Sequence, residues 1–552
     1  LLANQFLGPP RKLTLWFVDD SYCIGQGGFL DSFCRNGARL ATRQTPTQRG
    51  VLEAIIGKRC SGDIMNKRPG LSKSRITAFE QCPKRLWLSV HRPELGAIDS
   101  SSKARLAAGN DVGTVACELH PDGMMVEAEP NLTAALETTA ALLAQDHPGP
   151  IFEATFQHEG VLIRADIISR DGEGQWQLAE VKSSTGPKEY HIGDLATQVW
   201  VMEAAGISLS GAAVRHLNRA FVLEREGDYT GLFQDAELLE LVRPIAAQRS
   251  LVVAEARATL SGDEPVREPG DHCTVPFACE FSGYCNSHLP VGPEWPVTVL
   301  PNGGGKSWLS KGIIDLLELD EATLPEKHAR IVRATRSGDP DHDVEGARRA
   351  IEGWSYPRAW LDFETIAFAV PRWIGTRPYQ QVPFQFSVHV EEADGVIVHH
   401  EFLSLDGADP RRACAEALIA AIPAAATIIA YNAPFEKGVL RELAALFPDL
   451  KAAMLSMAQQ TVDLLPVTRN HWYHRDQRGS WSIKAVLPTM TSLDYNSLDV
   501  KDGTDAQQAY LKAIRPETSD EERSVLSDGL KSYCAQDTWA MVAMARFLSA
   551  AA

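Results

Sequence analysis

The feature that most constrains the fold of this chain is a pattern that occurs twice. On either side of the Pro- and Gly-rich segment 290–305, apolar stretches of strand length alternate with stretches of helical spacing. That alternation predicts two α/β domains rather than one continuous core. In the first block, Ser72-Lys73-Ser74-Arg75-Ile76 opens an aromatic-rich helix through Phe79, Cys82, Pro83, Leu86 and Trp87, and helical spacing returns at 103–120 and 131–145. Strands are expected at 152–156, 161–169 and 176–183, with a turn at Asp171-Gly172-Glu173-Gly174. A helix at 195–205, a strand at 212–223 and a helix at 236–260 follow. The second block opens at Trp360-Leu361-Asp362-Phe363-Glu364, after a charged helical connector at 307–353. It continues with strands near 383–403, a helix at 410–422, a strand at 428–431, a helix at 436–446 and a last helix at 529–551. The expected domains are 65–290 and 356–552, joined by a linker and connector at 291–355, with an irregular extension at 1–64.

The chain has 552 residues, enough for about three to five compact units. No apolar run approaches the ~18 residues of a membrane span, so no membrane partner is expected. A formal charge of -17 disfavours a protein that coats nucleic acid through bulk positive charge. It leaves a nuclease open, because acidic metal ligands make such a site negative until cations bind. Ten cysteines are too few for a disulfide scaffold, and no signal peptide opens the sequence, so we expect a cytoplasmic protein with reduced thiols. The first methionine is Met65, and residues 1–64 are either a real extension or a non-native segment before a start there. Gly25-Gln26-Gly27-Gly28 lacks a strand-to-helix context. Gly303-Gly304-Gly305-Lys306-Ser307 imitates a phosphate-binding loop, but Leu300 stands where the upstream glycine is required. No ATP motor is recognised.

A hairpin turning at 172–174 would bring Asp166 roughly opposite Glu180 in Glu180-Val181-Lys182. Strand alternation then puts Glu180 and Lys182 on one face and Val181 toward the core. Two carboxylates supply hard ligands for Mg²⁺ or Mn²⁺, and a lysine can orient the attacking water or neutralise developing charge. Spacing alone favours an exposed hairpin with a cross-strand ion pair, and the context of neighbouring residues shifts the balance. Glu153 could add a carboxylate, and the Gln198 amide could reach back to substrate or water. Phe152-Glu153, Arg164-Ala165-Asp166, Glu180-Val181-Lys182 and Gln198-Val199-Trp200 resemble the motif series of RecB-like nucleases of the P-D-(D/E)-x-K superfamily. That resemblance covers about residues 71–288 and implies a restriction-endonuclease-like mixed sheet and metal-dependent DNA cleavage, often at single-stranded ends. The family often adds a metal-binding histidine before the Asp, and His120, in a turn, is the nearest candidate.

Cys273, Cys279 and Cys285 fall within 13 residues, and Cys82 stands alone upstream beside Pro83. Four cysteinates fit a [4Fe–4S] cluster or zinc. One Cys before the nuclease core and three after it is similar to the iron–sulfur clasp of the AddB and CRISPR-associated nucleases, although those place two of the trailing cysteines closer together. Cys23, Cys34, Cys60, Cys117, Cys414 and Cys534 read as small apolar residues.

In the second block Asp362 and Glu364 share a strand face, Glu436 opens a helix after Asn432, and Tyr533 and Asp537 are neighbours on the last helix. Acids from separate elements suit a two-metal phosphodiester site, with Tyr533 orienting or deprotonating water. The order resembles the tyrosine-containing DnaQ-like 3′–5′ exonucleases, which implies an RNase H-like α/β domain. Those enzymes usually carry Asp at the Glu436 position; Asp463 could compensate or cap the next segment. The domain could also bind nucleic acid or a partner without cutting.

The combination, with Pro378–Gln385 and Ser480-Trp481-Ser482-Ile483-Lys484, resembles an uncharacterised bacterial family, domain of unknown function 2779. The expectation is a metal-dependent deoxyribonuclease that meets single-stranded DNA and a helicase or other repair or defence partner. The catalytic set would be Asp166, Glu180, Lys182, Gln198, Asp362, Glu364, Glu436, Tyr533 and Asp537, and Cys82, Cys273, Cys279 and Cys285 would hold the cluster. The alternative is a nucleic-acid-binding or regulatory scaffold with a structural metal and an inactive C-terminal domain.

Overall fold

The computed structural model describes residues 70–97 and 100–550. The expectations for 1–64, including Met65 as a start, the glycine run at 25–28, Cys23, Cys34 and Cys60, lie outside the described residues. The protein is α/β with mixed sheets, and among the described residues no helix is long and apolar enough to cross a membrane. The chain divides into two compact units. One comprises the described part of Leu1–Thr77 with Leu106–His216 and Asp235–Arg257; the other comprises Ala78–Arg105, Leu217–Gln234 and Ala258–Ala552.

The sheet of the first unit is built from β1 (Leu71–Ser72), β2 (Met124–Met125), β3 (Ile151–His158), β4 (Val161–Arg170), β5 (Trp176–Lys182), β6 (Leu209–Leu217) and β7 (Phe233–Glu237). Strands β2 to β7 follow one another in order, and β1 pairs with β4. The turn between β4 and β5 forms because Asp171 Oδ1 accepts from the amides of Glu173 and Gln175, and Gly174 takes φ +79°. Antiparallel pairing of Ile167 with Ala179 fixes the register, and the β5–β6 ladder is parallel. The helix expected at 195–205 runs over Glu189–Ala204. The strand expected to reach 223 ends at Leu217, where Asn218 turns the chain by accepting from the Ala220 amide. The helix expected at 236–260 is two, Leu239–Ala246 and Arg249–Ser261; Pro244 lacks an amide for the ladder, and the first helix stops soon after it.

In the second unit β8 (Asp341–His342) pairs with β14 (Trp472–Tyr473). The main sheet has the order β11 (Ile397–Leu403), β10 (Val382–Glu391), β9 (Arg358–Ile366), β12 (Thr427–Ala430) and β13 (Thr461–Asp463). β9 is antiparallel to β10 and parallel to β12. Its alternate residues feed two cores. Ala359, Leu361 and Phe363 pack with Cys414, Leu418, Leu440 and Leu443. Trp360 and Ile366, on the opposite face, share a cluster with Tyr533, Met541 and Leu548. The last helix is Asp520–Ser549, longer than expected at its start. Ser519 caps it and Asp520, Glu521 and Glu522 fill its first turn, a favourable placement of negative charge that apolar spacing does not reveal.

Candidate functional site

Three groups of expected site residues can be followed from their elements. At the first, the β4–β5 ladder ends at Ile167 and Ala179, so Asp166 faces Glu180 one step beyond the last backbone pair. Asp166 Oδ2 takes over the ladder's role and accepts from the Val181 amide at 2.7 Å. Glu180 is 1% exposed, whereas Val181, expected to face the core, is partly exposed. The buried carboxylate is tolerated because its oxygens are engaged: Lys73 and Lys182 donate to Oε1, Lys182 at 2.8 Å, and Gln198 Nε2 donates to Oε2 at 2.7 Å. Lys182 also reaches Asp194 Oδ2 at 3.2 Å, and Asp194 accepts from Thr77 at 2.6 Å.

Burial pushes Glu180 up, but Lys182 and Lys73 more than reverse this and hold it well below the usual carboxylate range. Burial raises Asp166, and the Glu180 charge adds to the rise. Gln198 is fully buried, and its Oε1 has no hydrogen-bond partner. Glu153 takes φ +54° and is ion-paired to Arg164 at 3.0 Å. His120 Nε2 lies 3.3 Å from Arg215 Nη1, and burial lowers its pKa. Lys73 and Asp194 were not anticipated. Lys73 meets Glu180 across 107 positions of sequence, a contact without a local signal.

At the second group, Asp362 and Glu364 project from one face of β9, and Asp537 comes from Asp520–Ser549. One ligand oxygen from each lies within 4.8 Å of the others. Burial and the Asp537 charge raise both Asp362 and Glu364, the latter to about 8. Asp537 is raised by burial against the pull of its hydrogen-bond donors. Tyr495 donates to Asp537 Oδ1 at 2.5 Å, and Tyr533, four residues before Asp537, is 4% exposed. The Lys484 ammonium donates to the Tyr533 hydroxyl at 3.0 Å and lies over the rings of Tyr533 and Tyr495.

Glu436 is outside the tight group but contributes to the charge felt by Asp362 and Glu364. It is 3% exposed, its Oε2 has no partner, and burial pushes it up to about 8. Asp463 is a cap: its Oδ1 accepts from the amides of Asn432 and Leu465. Cys534, expected to be a small apolar residue, is buried with Sγ 3.8 Å from Asp362 Oδ2. Lys484 and Tyr495 are the functional candidates that sequence reasoning did not single out; the first lay within a recognised phrase, the second carried no motif.

The third group is the cysteines. Cys82, Cys273, Cys279 and Cys285 are all free thiols and line one cavity. Cys82 precedes the helix Pro83–His91, and side chains on both sides of Cys82 tie it to the segment 264–280. Gln81 Nε2 donates to the carbonyls of His272 and Phe277, Arg85 pairs with Glu280, and Lys84 pairs with Glu264. Burial raises the Cys279 thiol to about 11.

Residues 359–482 match the model of a family described as a domain of unknown function (DUF2779). The matched segment contains Asp362, Glu364 and Glu436 and ends before Lys484, Tyr495, Tyr533 and Asp537. No curated protein matches the chain. A solved structure described as "Crystal structure of SSO0001" is similar at 16% identity, over 44% of this chain and 98% of that chain, with a TM-score of 0.23. A likeness that slight carries no argument about this fold.

Proposed function

We propose that the protein is a metal-dependent nuclease that hydrolyses DNA phosphodiester bonds, acting exonucleolytically on single-stranded ends. The observation that carries this reading is the convergence of Asp362, Glu364 and Asp537 within 4.8 Å. Their oxygens match the hard-ligand preference of Mg²⁺ or Mn²⁺, and their separation suits ligands around one such ion. Removing three carboxylates from water beside one another is costly unless a proton or cation compensates. The unpaired oxygen of buried Glu436 is a further donor facing the same requirement. A bound divalent ion would polarise the phosphate and make its water a better nucleophile.

Tyr533 would orient that water, as the DnaQ-like resemblance implies; burial and the neighbouring carboxylates keep its phenol protonated. An RNase H-like domain is consistent with a mixed sheet that carries Asp362 and Glu364 on its middle strand. At the restriction-endonuclease-like centre, Asp166 and Glu180 would hold a second cation site, Lys182 would neutralise developing charge, and Gln198 would hold Glu180. Lys73 and Lys182 must release Glu180 oxygen before a cation can take it. The C-terminal acids are therefore the leading hydrolytic centre. Cys82, Cys273, Cys279 and Cys285 would hold a [4Fe–4S] cluster. Zinc is the alternative, since four cysteinates also suit it.

The test is cleavage of 5′- and 3′-labelled single- and double-stranded DNA with Mn²⁺ by the full chain, Lys182→Ala and Asp362→Ala. Loss of cleavage with Asp362→Ala supports the C-terminal assignment, and loss only with Lys182→Ala transfers the chemistry to the other centre. No cleavage by the wild type, on RNA as well and with an unwinding partner present, rejects the nuclease reading.

A further inference from the structure

We infer that Lys484 is the phosphate-anchoring residue of the C-terminal centre, contacting the substrate phosphate as well as holding Tyr533; this rests on the nuclease reading of that centre. An ammonium has three donors, and the hydrogen bond from Lys484 to the Tyr533 hydroxyl at 3.0 Å uses one. Among the described residues, Lys484 makes no ion pair with a carboxylate, although its charge is felt by both Glu364 and Asp537. Lys182 differs, because its ammonium is taken up by Glu180 and Asp194.

Lys484 is half-buried near the start of the helix Ile483–Met490, which Ser482 caps through the Ala485 amide. Its ammonium stands over the rings of Tyr533 and Tyr495, with ring centroids 4.8 and 5.4 Å away. Those rings restrict where the charge can go, and both hydroxyls belong to the Asp537 network. The result is a fixed positive charge, with donors to spare, beside the carboxylates that would hold a cation. A phosphate bound to that cation presents anionic oxygens that can use the remaining donors, and such charge-assisted hydrogen bonds are among the strong ones. A neutral or acidic side chain in this position would leave phosphate binding to the cation alone.

Calorimetric binding of thymidine 5′-monophosphate with Mn²⁺, and kinetics of single-stranded DNA cleavage, test this in the full chain. Lys484→Met should weaken nucleotide binding about tenfold or more and raise KM by a similar factor, while Mn²⁺ affinity is kept or increased. Lys484→Arg should recover much of the binding, which a purely packing role for the methylene chain would not explain. Equal nucleotide binding by wild type, Lys484→Met and Lys484→Arg overturns the assignment, as does failure of Lys484→Arg to improve on a Lys484→Met chain that still binds Mn²⁺. Asp362→Asn separates the two ideas. If it leaves cleavage intact, the hydrolytic reading of this centre fails, while the nucleotide titration still decides for or against Lys484. A wild type that binds no nucleotide with Mn²⁺ present overturns the Lys484 assignment directly.

Discussion

At Glu180 two lysines and a glutamine take the oxygens of one buried carboxylate, whereas at Asp362, Glu364 and Asp537 three carboxylates converge near a single ammonium. The residue types are nearly the same, yet the charge balance is opposite. In the first centre side chains of the protein supply the compensating charge, and Glu180 stays ionised. In the second, burial and the neighbouring carboxylate charges raise Glu364 to about 8, and burial raises Glu436 as far. Motif matching treats both as acidic metal sites. Their partners separate a carboxylate that is already satisfied from a group that still requires a cation.

The largest expected effect is on the unsatisfied centre. Asp362→Asn removes one of three converging oxygens and should lower Mn²⁺-dependent cleavage by about a hundredfold or more, measured as initial rate on labelled single-stranded DNA. A comparable fall with Lys182→Ala and little change with Asp362→Asn would reverse the roles of the two centres. Next comes the satisfied centre. Lys73→Met leaves Glu180 buried with Lys182 and Gln198 alone, and should destabilise the chain by about 1–3 kcal/mol in urea unfolding. An unchanged midpoint would show that Lys182 suffices.

Glu180 should also respond to pH oppositely to Glu364 and Glu436, while Asp166 beside it is raised as they are. Glu180 is held below its ordinary value of 4.5, so its contribution to stability is present above that pH and lost as acid protonates it. Glu364 and Glu436 are raised, so the folded chain holds protons that the unfolded chain has released. Their effect is to lower stability as pH rises from 4.5 to about 8. Mn²⁺ should relieve that loss. Its stabilisation in thermal melts should grow between those limits, reaching about 2.7 kcal/mol when the free ion is a hundredfold above Kd. Asp362→Asn should abolish the growth.

Much of the framework for this comparison was legible in the sequence. The turn at Asp171–Gly174 could be read because its side-chain and glycine chemistry is local, and the strand carrying Asp362 and Glu364 because its apolar neighbours alternate around them. The partners that distinguish the centres were not legible. Lys73 and Glu180 are joined only by tertiary structure, and Tyr495 reaches Asp537 from a segment without a motif. Asp463 carried two readings in the sequence, and its bonds to two backbone amides make it a cap. The early start of the last helix was hidden because its first turns are polar.

A smaller effect is expected at Glu436. Glu436→Asp shortens a side chain outside the tight group and should change the cleavage rate by less than about tenfold, against the much larger loss for Asp362→Asn. A loss equal to that of Asp362→Asn would make Glu436 an equal member of the centre.

Calorimetric titration of Mn²⁺ into wild type, Asp362→Asn and Asp166→Asn at a pH near 7 tests the charge argument most directly. The tighter Mn²⁺ binding, with proton release, should be present in the wild type, retained by Asp166→Asn and lost in Asp362→Asn, because the protons held by Glu364 must leave when the ion enters the C-terminal centre; weaker binding at Asp166 and Glu180 is a separate event. Binding of equal strength and equal proton release in wild type and Asp362→Asn would contradict this expectation.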